Sequence, residues 1–399
     1  MASITATPWS THPRVDQVPA WGAIFAMALC SFVLVASEFM PMSLLTPIAA
    51  DLHLTQGQTG QAISVSGLSA MAAALFIGRV AGSADRRKVL LLMTLMLIVS
   101  GALVAFAPTY LMLMVGRIVL GVAIGGFWSM SAAVAMHLVP ENAVPKALAV
   151  INGGPALATV VGAPAGSFIG GLIGWRGAFY CVVPLAVAAT IWLAIAMPRL
   201  PQEKRSTGDR MATILRNKPI LIGYIACAML YMGNFSLYTY LRPYLEEITH
   251  LGTNTISLLL LLIGVAGFVG TSLIGRVIGT RLRLLLASFP AAMAIFAVGL
   301  TLFGTSTPIV AVLLGLWGLF ATSANVPWWT WVTRAMPESP ETGGGFLVAI
   351  VQFAIMAGGA GGGLIYDAFG PAAEFLTCAA VLAAAAMLAL LRPSDRAIG

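Results

Sequence analysis

Apolar residues run along this chain in blocks of about 20 or more, broken by short polar or basic interruptions. A helix needs about 20 residues, at about 1.5 Å each, to cross the hydrocarbon core of a bilayer. Twelve spans are predicted, over about 21–48, 59–82, 89–107, 110–137, 145–171, 176–197, 219–241, 255–278, 284–303, 308–333, 343–366 and 372–391. Trp, Tyr and Pro near several span ends fit interfacial anchors. An even number of spans puts both termini on one side.

Composition supports the pattern. Of 399 residues, 59% are hydrophobic and 9% charged, against about 25% charged in a soluble domain. The mean hydropathy is +0.94. The expected class is therefore an all-α polytopic membrane protein. The net charge of +7 would suggest nucleic acid only if it were clustered on a soluble face. Here it sits in short loops, so no nucleic-acid partner is expected. With the N-terminus inside, 18 of the 21 basic residues fall in inner segments. Arg176 and Arg242 are placed in outer loops and Arg117 within a span. That bias puts both termini in the cytoplasm.

Residues 1–20 are polar with three prolines and do not form a signal peptide, so the first span is expected to be retained. Cys30, Cys181, Cys227 and Cys378 all lie in spans and the four histidines are scattered, so neither disulfides nor a metal site is expected. The longest internal polar segment, 198–218, divides the chain into a tail (1–20), a six-span bundle (21–197), a linker (198–218), a second six-span bundle (219–391) and a tail (392–399). The run MATIL in the linker could form a short surface helix. The halves look related. Gly78-Arg79-Val80-Ala81-Gly82 and Gly275-Arg276-Val277-Ile278-Gly279 end spans two and eight, and GGLIGW (170–175) and GGLIYD (362–367) end spans five and eleven. Matching position and topology point to two parallel repeats.

The chemistry concentrates in a few places. The first span holds one ionisable residue, Glu38, followed by Pro41 and Pro47. A carboxylate in hydrocarbon costs several kcal/mol unless paired, hydrated or protonated, so such an acid marks a proton or substrate site by default. Arg117 in span four is too deep to snorkel easily. Both groups sit at similar depth, about 12–15 Å below the outer surface, which makes them a candidate pair. The loop Gly82-Ser83-Ala84-Asp85-Arg86-Arg87-Lys88 can cap helix ends and cross-link neighbours, with Asp85, Arg86 and Arg87 as a candidate cytoplasmic gate. The second-half loop has no acid. Spans five and eleven are rich in small residues, which suits close helix contact. Trp128, Asn152, Tyr231, Asn234, Tyr238, Asn325 and Gln352 are candidate cavity residues, suited to a flat, neutral, hydrogen-bonding ligand. The Trp cluster at 328–331 suits helix packing or interface anchoring. A membrane-embedded enzyme would need clustered nucleophile signatures, and a channel would need a repeated filter or charged ring. Neither pattern is present.

GSADRRK after span two, Arg117–Gly121 as R-x-x-x-G, GAPAGSFIGG in span five and GWR at 174–176 resemble the major facilitator superfamily, in its twelve-helix drug:proton antiporter branch. The run SEFMPMSLLTPIAADL is similar to the subgroup of arabinose-type and purine nucleoside exporters. Lys88, Ala81 and Ala163-Pro164 depart from the glycines of the family pattern. The resemblance implies two pseudo-symmetric six-helix bundles and alternating access around a central cavity. It also implies export driven by inward proton flow through Glu38, modulated by Arg117, with the proton as coupling ion and no other cofactor. Purine nucleosides or their analogues are the implied cargo, with drugs or sugars as the alternative. A monomer in a bacterial inner membrane is expected.

Overall fold

The computed structural model describes residues 19–82, 84–200, 217–274, 278–336 and 340–391. It is all-helical there: α1 (Trp21–Ser43), α2 (Leu45–Leu52), α3 (Gln56–Val80), α4 (Arg86–Ala105), α5 (Tyr110–Leu138) and α6 (Val144–Ala196) precede the linker. After it come α7 (Lys218–Glu247), α8 (Thr253–Ile274), α9 (Ile278–Phe303), α10 (Thr307–Ser323), α11 (Asn325–Ala335), α12 (Pro340–Phe369) and α13 (Pro371–Leu391). The linker run MATIL and Gly275-Arg276-Val277 lie outside the described residues.

Among the described residues the helices make twelve crossings. Helix α6 makes two of them, because its only non-helical residue is Gly174, at φ +78°. Glycine reaches that left-handed conformation without a Cβ clash, so one residue serves as the turn. Trp175 and Arg176 just beyond it fasten this end. Both donate to Asp51 Oδ2, at 3.3 and 2.5 Å, and the Arg176 guanidinium stacks 4.3 Å from the Trp175 ring. Helices α10 and α11 together make one crossing, broken at Ala324.

Each half has its own apolar core. The first gathers Met27, Leu34, Leu90, Leu97, Ile124 and Phe127, the second Leu230, Leu245, Leu286, Met293, Trp317 and Phe375. Within the first bundle α5 rides directly on α3. A Cβ on Gly125 would lie 2.1 Å from the Ala70 carbonyl oxygen. Gly125→Ala is therefore expected to destabilise by roughly 1–3 kcal/mol through overpacking, read as a lower unfolding temperature in detergent.

The bundles meet along a seam. A shared apolar cluster of Met42, Leu45, Ile63, Tyr240, Ile355 and Tyr366 draws on α1, α2, α3, α7 and α12. The small residues of span five mostly face α1 in their own bundle, where Gly154 meets Ala28 and Ser31 and Gly162 meets Ala36, while Gly171 meets Thr253 of the other bundle. In span eleven, Gly359 meets Ser64 and Gly363 meets Gly57 across the seam, while Gly358 and Gly362 pack on α7 of their own bundle. We call the membrane face holding Pro19 and Leu391 the near face and the opposite one the far face.

Candidate functional site

Prolines in α1 and α2 prepare the site. A proline has no N–H to give the carbonyl four residues before it. Pro41 thus frees the carbonyl of Ser37, and Pro47 that of Ser43. Buried backbone acceptors need partners, and each of these takes an arginine. Arg117 Nη1 donates to Ser37 O at 2.8 Å, and Arg242 Nη1 donates to Ser43 O.

Arg117 is fully buried. It also donates from Nη2 to Glu38 O and Ser66 Oγ, both at 2.9 Å, and from Nε to Ala62 O at 2.9 Å. Its fork thus joins α1, α3 and α5. The depth match with Glu38 is present, but the contact is with the Glu38 backbone carbonyl. Among the described residues no ion pair links the guanidinium to the Glu38 carboxylate; the ion pairs there are Arg176–Asp51 and Arg242–Glu246.

The Glu38 carboxylate turns the other way. It is 3% exposed and accepts at Oε1 from Gln352 Nε2, 3.3 Å away on α12 of the second bundle. The acid therefore sits on the seam itself. An aromatic layer surrounds this level. Phe39 of α1 meets Phe235 of α7 across the seam, 5.4 Å between centroids, and Tyr231 stacks on Phe235. The Tyr231 hydroxyl donates to Asn325 Oδ1. Tyr238 packs against the seam cluster, and Trp128 against Val35, Ala36 and Ala158. Asn234 is half-buried. Asn152 is exposed, and its amide is tied to Leu148 O of its own helix. The Trp cluster divides: Trp328 and Trp331 pack edge to face in the core, while Trp329 is exposed.

Toward the far face the seam is cross-linked. Arg242 belongs to buried α7, not to an outer loop as the charge pattern predicts. Its apolar surroundings on the helix, YTYLRPYL, hid no loop signal, and Pro243 is absorbed within the helix. Besides Ser43 O it donates to Ser167 Oγ at 3.3 Å, and Ser257 Oγ donates to Ser167 Oγ at 2.9 Å. Asp367 of α12 meets the start of α3 in the other bundle. It accepts from Thr55 Oγ1 at 2.6 Å and from Gly57 N–H at 2.9 Å. Anions are favoured at a helix N-terminus. Spacing gave no hint of Asp367, because its partner lies 310 residues away. These bonds and the Glu38–Gln352 bond all lie between mid-membrane and the far face. Asp367→Asn removes the charge from the α3 terminus, worth roughly 1 kcal/mol. It is expected to raise maleimide labelling of a Ser64→Cys reporter from the far side about fivefold.

On the near face, Asp85 caps α4. It accepts from Arg87 N–H at 2.9 Å and from Leu200 N–H at 3.0 Å. Arg87 Nη2 donates to Ala194 O at 2.6 Å, and Arg86 Nη1 lies 3.4 Å from His137 Nδ1. These three residues tie the α3–α4 turn to α5 and to the end of α6, within the first bundle.

The family model of the Major Facilitator Superfamily matches residues 27–344. The chain belongs to this superfamily. Relatives cover almost its whole length. It is 49% identical over 392 residues to "Transcription regulatory protein OpdE" of Pseudomonas aeruginosa, spanning 97% of this chain and 98% of that one. It is 39% identical over 359 residues to "Purine ribonucleoside efflux pump NepI" of Salmonella paratyphi B, spanning 90% of each. The major facilitator fold is shared with a bacterial homolog to the human lysosomal transporter Spinster, crystallised inward-facing and unoccupied, at TM-score 0.77, 13% identity and coverage of 96% and 98%. It is shared too with the human organic anion transporter MFSD10, at TM-score 0.69, 18% identity and coverage of 94% and 100%. The cross-linked seam is thus the meeting line of the two bundles of a superfamily transporter.

Proposed function

We propose that this transporter is a proton-coupled exporter of a small organic solute, with purine ribonucleosides as first candidate. The observation that carries the reading is Glu38: a buried carboxyl in a membrane-spanning helix, without an ion pair among the described residues, bonded across the bundle seam to Gln352. A proton arriving there converts an acceptor into a donor at the contact between the two moving parts. Binding of a proton and parting of the bundles are then linked events. The aromatic layer of Phe39, Tyr231, Phe235 and Tyr238 with the Asn325 amide suits a flat ring bearing hydrogen-bonding groups. The name of the Salmonella pump supplies the candidate cargo. Export of an inducer would by itself alter transcription, so the name of the Pseudomonas relative is compatible with transport.

In this reading the near face is cytoplasmic, the chain acts as a monomer in a bacterial inner membrane, and the proton is the coupling ion. The far face is closed and cargo enters from the cytoplasm. Asp85, Arg86 and Arg87 keep the near-face ends of the first bundle in register as the bundles rock. The test is proton movement in proteoliposomes that carry an internal pH dye. Under an imposed gradient, inosine, guanosine, arabinose and a cationic drug are added in turn. Flux with the nucleosides alone supports the reading. Flux with the drug or the sugar moves the cargo to the multidrug or arabinose class. No coupled flux with any of them overturns proton antiport.

A further inference from the structure

A second buried acid lies in the other bundle. Glu374 sits in the first turn of α13 and is 0% exposed. Its Oε1 accepts from Ser236 Oγ of α7 at 2.7 Å and from Cys378 Sγ at 2.9 Å. Its Oε2 is buried and has no hydrogen-bond partner. Gly362 of α12 adjoins it: a Cβ there would lie 2.2 Å from Ser236 Oγ, 3.0 Å from the Tyr240 ring and 3.3 Å from Glu374 Oε1. The carboxyl therefore occupies a niche that only a glycine on α12 leaves open.

That niche is one residue behind the seam. The Tyr240 hydroxyl donates to Gly359 O at 2.7 Å, and its ring stacks on Tyr366 in the shared cluster. Among the described residues the neighbours bring no compensating cation. Helix α7 contributes Tyr240, Tyr244, Glu246 and Glu247. Its Arg242 is committed to Glu246, Ser43 and Ser167. Tyr244 donates to Leu300 O. Helix α12 contributes Tyr366 and Asp367. The arginines of α9, Arg281 and Arg283, are at the opposite end, where Arg283 donates to Leu390 O. The only other titratable group on α13 is Cys378, already bonded to the acid. A buried charge with two donors and no counter-ion is expensive, and a proton removes the cost.

We propose that Glu374 is a second proton-binding site of this transporter, separate from Glu38. The carboxyl holds its proton while the seam is closed, and exchanges it with solvent when far-face opening admits water behind Tyr240. This goes beyond the reading above and does not depend on the identity of the cargo.

The experiment is pH-titrated infrared difference spectroscopy of the full chain in lipid nanodiscs. A carboxylic acid and a carboxylate absorb at well-separated frequencies. The parent is expected to show a pH-dependent acid band that disappears in Glu374→Gln and persists in Glu38→Gln. Cys378→Ala should move the same band to higher frequency, because the carbonyl loses a hydrogen bond, and this variant keeps the carboxyl itself. A Glu374→Gln spectrum that overlays the parent at every pH overturns the proposal. So does a variant with a lower unfolding temperature but an unchanged band, which would make the acid only a helix-end anion. Unchanged coupled flux in Glu38→Gln beside loss of the Glu374 band would remove the role of Glu38 and leave this site standing.

Discussion

Glu38→Gln is expected to abolish gradient-driven efflux in proteoliposomes, while downhill exchange of cargo continues. The amide is nearly isosteric and still offers an oxygen to Gln352, so the seam keeps its bond and the helices keep their packing. What disappears is the exchangeable proton. One proton crossing 100 mV is worth about 2.3 kcal/mol, and each 1.4 kcal/mol is tenfold. For one proton per cargo, an accumulation ratio of about fortyfold should collapse to unity. Cargo flux against counted protons in the same vesicles is the check. A retained gradient-driven ratio would exclude Glu38 as the carrier.

Arg117→Leu is expected to destabilise the fold rather than only to tune transport. The side chain fills the Ser37 carbonyl that Pro41 orphans and also holds Glu38 O, Ala62 O and Ser66 Oγ. Each buried acceptor left unpaired costs roughly 1–3 kcal/mol. Of these acceptors only Ser37 O lacks a helical partner, since Glu38 O and Ala62 O face the N–H groups four residues on and Ser66 Oγ also bonds Ile63 O. The loss is therefore a substantial part of a domain's stability of about 5–15 kcal/mol. Arg117→Lys should be intermediate, since an ammonium has three donors but no planar fork. Monodispersity and unfolding temperature in detergent distinguish the variants. A wild-type unfolding temperature for Arg117→Leu would show that other groups supply these bonds.

Much of the architecture was legible because bilayer crossing is a one-dimensional constraint: length and hydropathy suffice. The turn at Gly174 and the break near Pro41 and Pro47 were visible as residue types. Glu38 stood out because an acid in an apolar run is rare. Its partner did not, since Gln352 is 314 residues away and lateral distance leaves no mark on spacing. The depth argument set Arg117 and Glu38 at one level but could not tell carboxylate from carbonyl, and it is the carbonyl that the guanidinium meets. Arg242, Asp367 and Glu374 were passed over because each lies near a span end, where charge reads as ordinary interfacial or loop chemistry. The same bias had Arg242 in a loop, whereas its guanidinium is drawn in by an acceptor that a proline in the other bundle leaves vacant.

The two proline-freed carbonyls differ in one respect. Ser37 O is served from within its own bundle, so Arg117 travels with it through the cycle. Ser43 O is served from the opposite bundle, so its partner leaves whenever the far face opens. Water then has to take the place of Arg242, and the joint at Leu44 between α1 and α2 changes from a protein-bonded hinge to a hydrated one. In the proposed cycle the tip of the first helix is therefore a wetting sensor, stiff when the far face is shut and loose when it is open. Amide hydrogen exchange over residues 44–52 should follow the transport state.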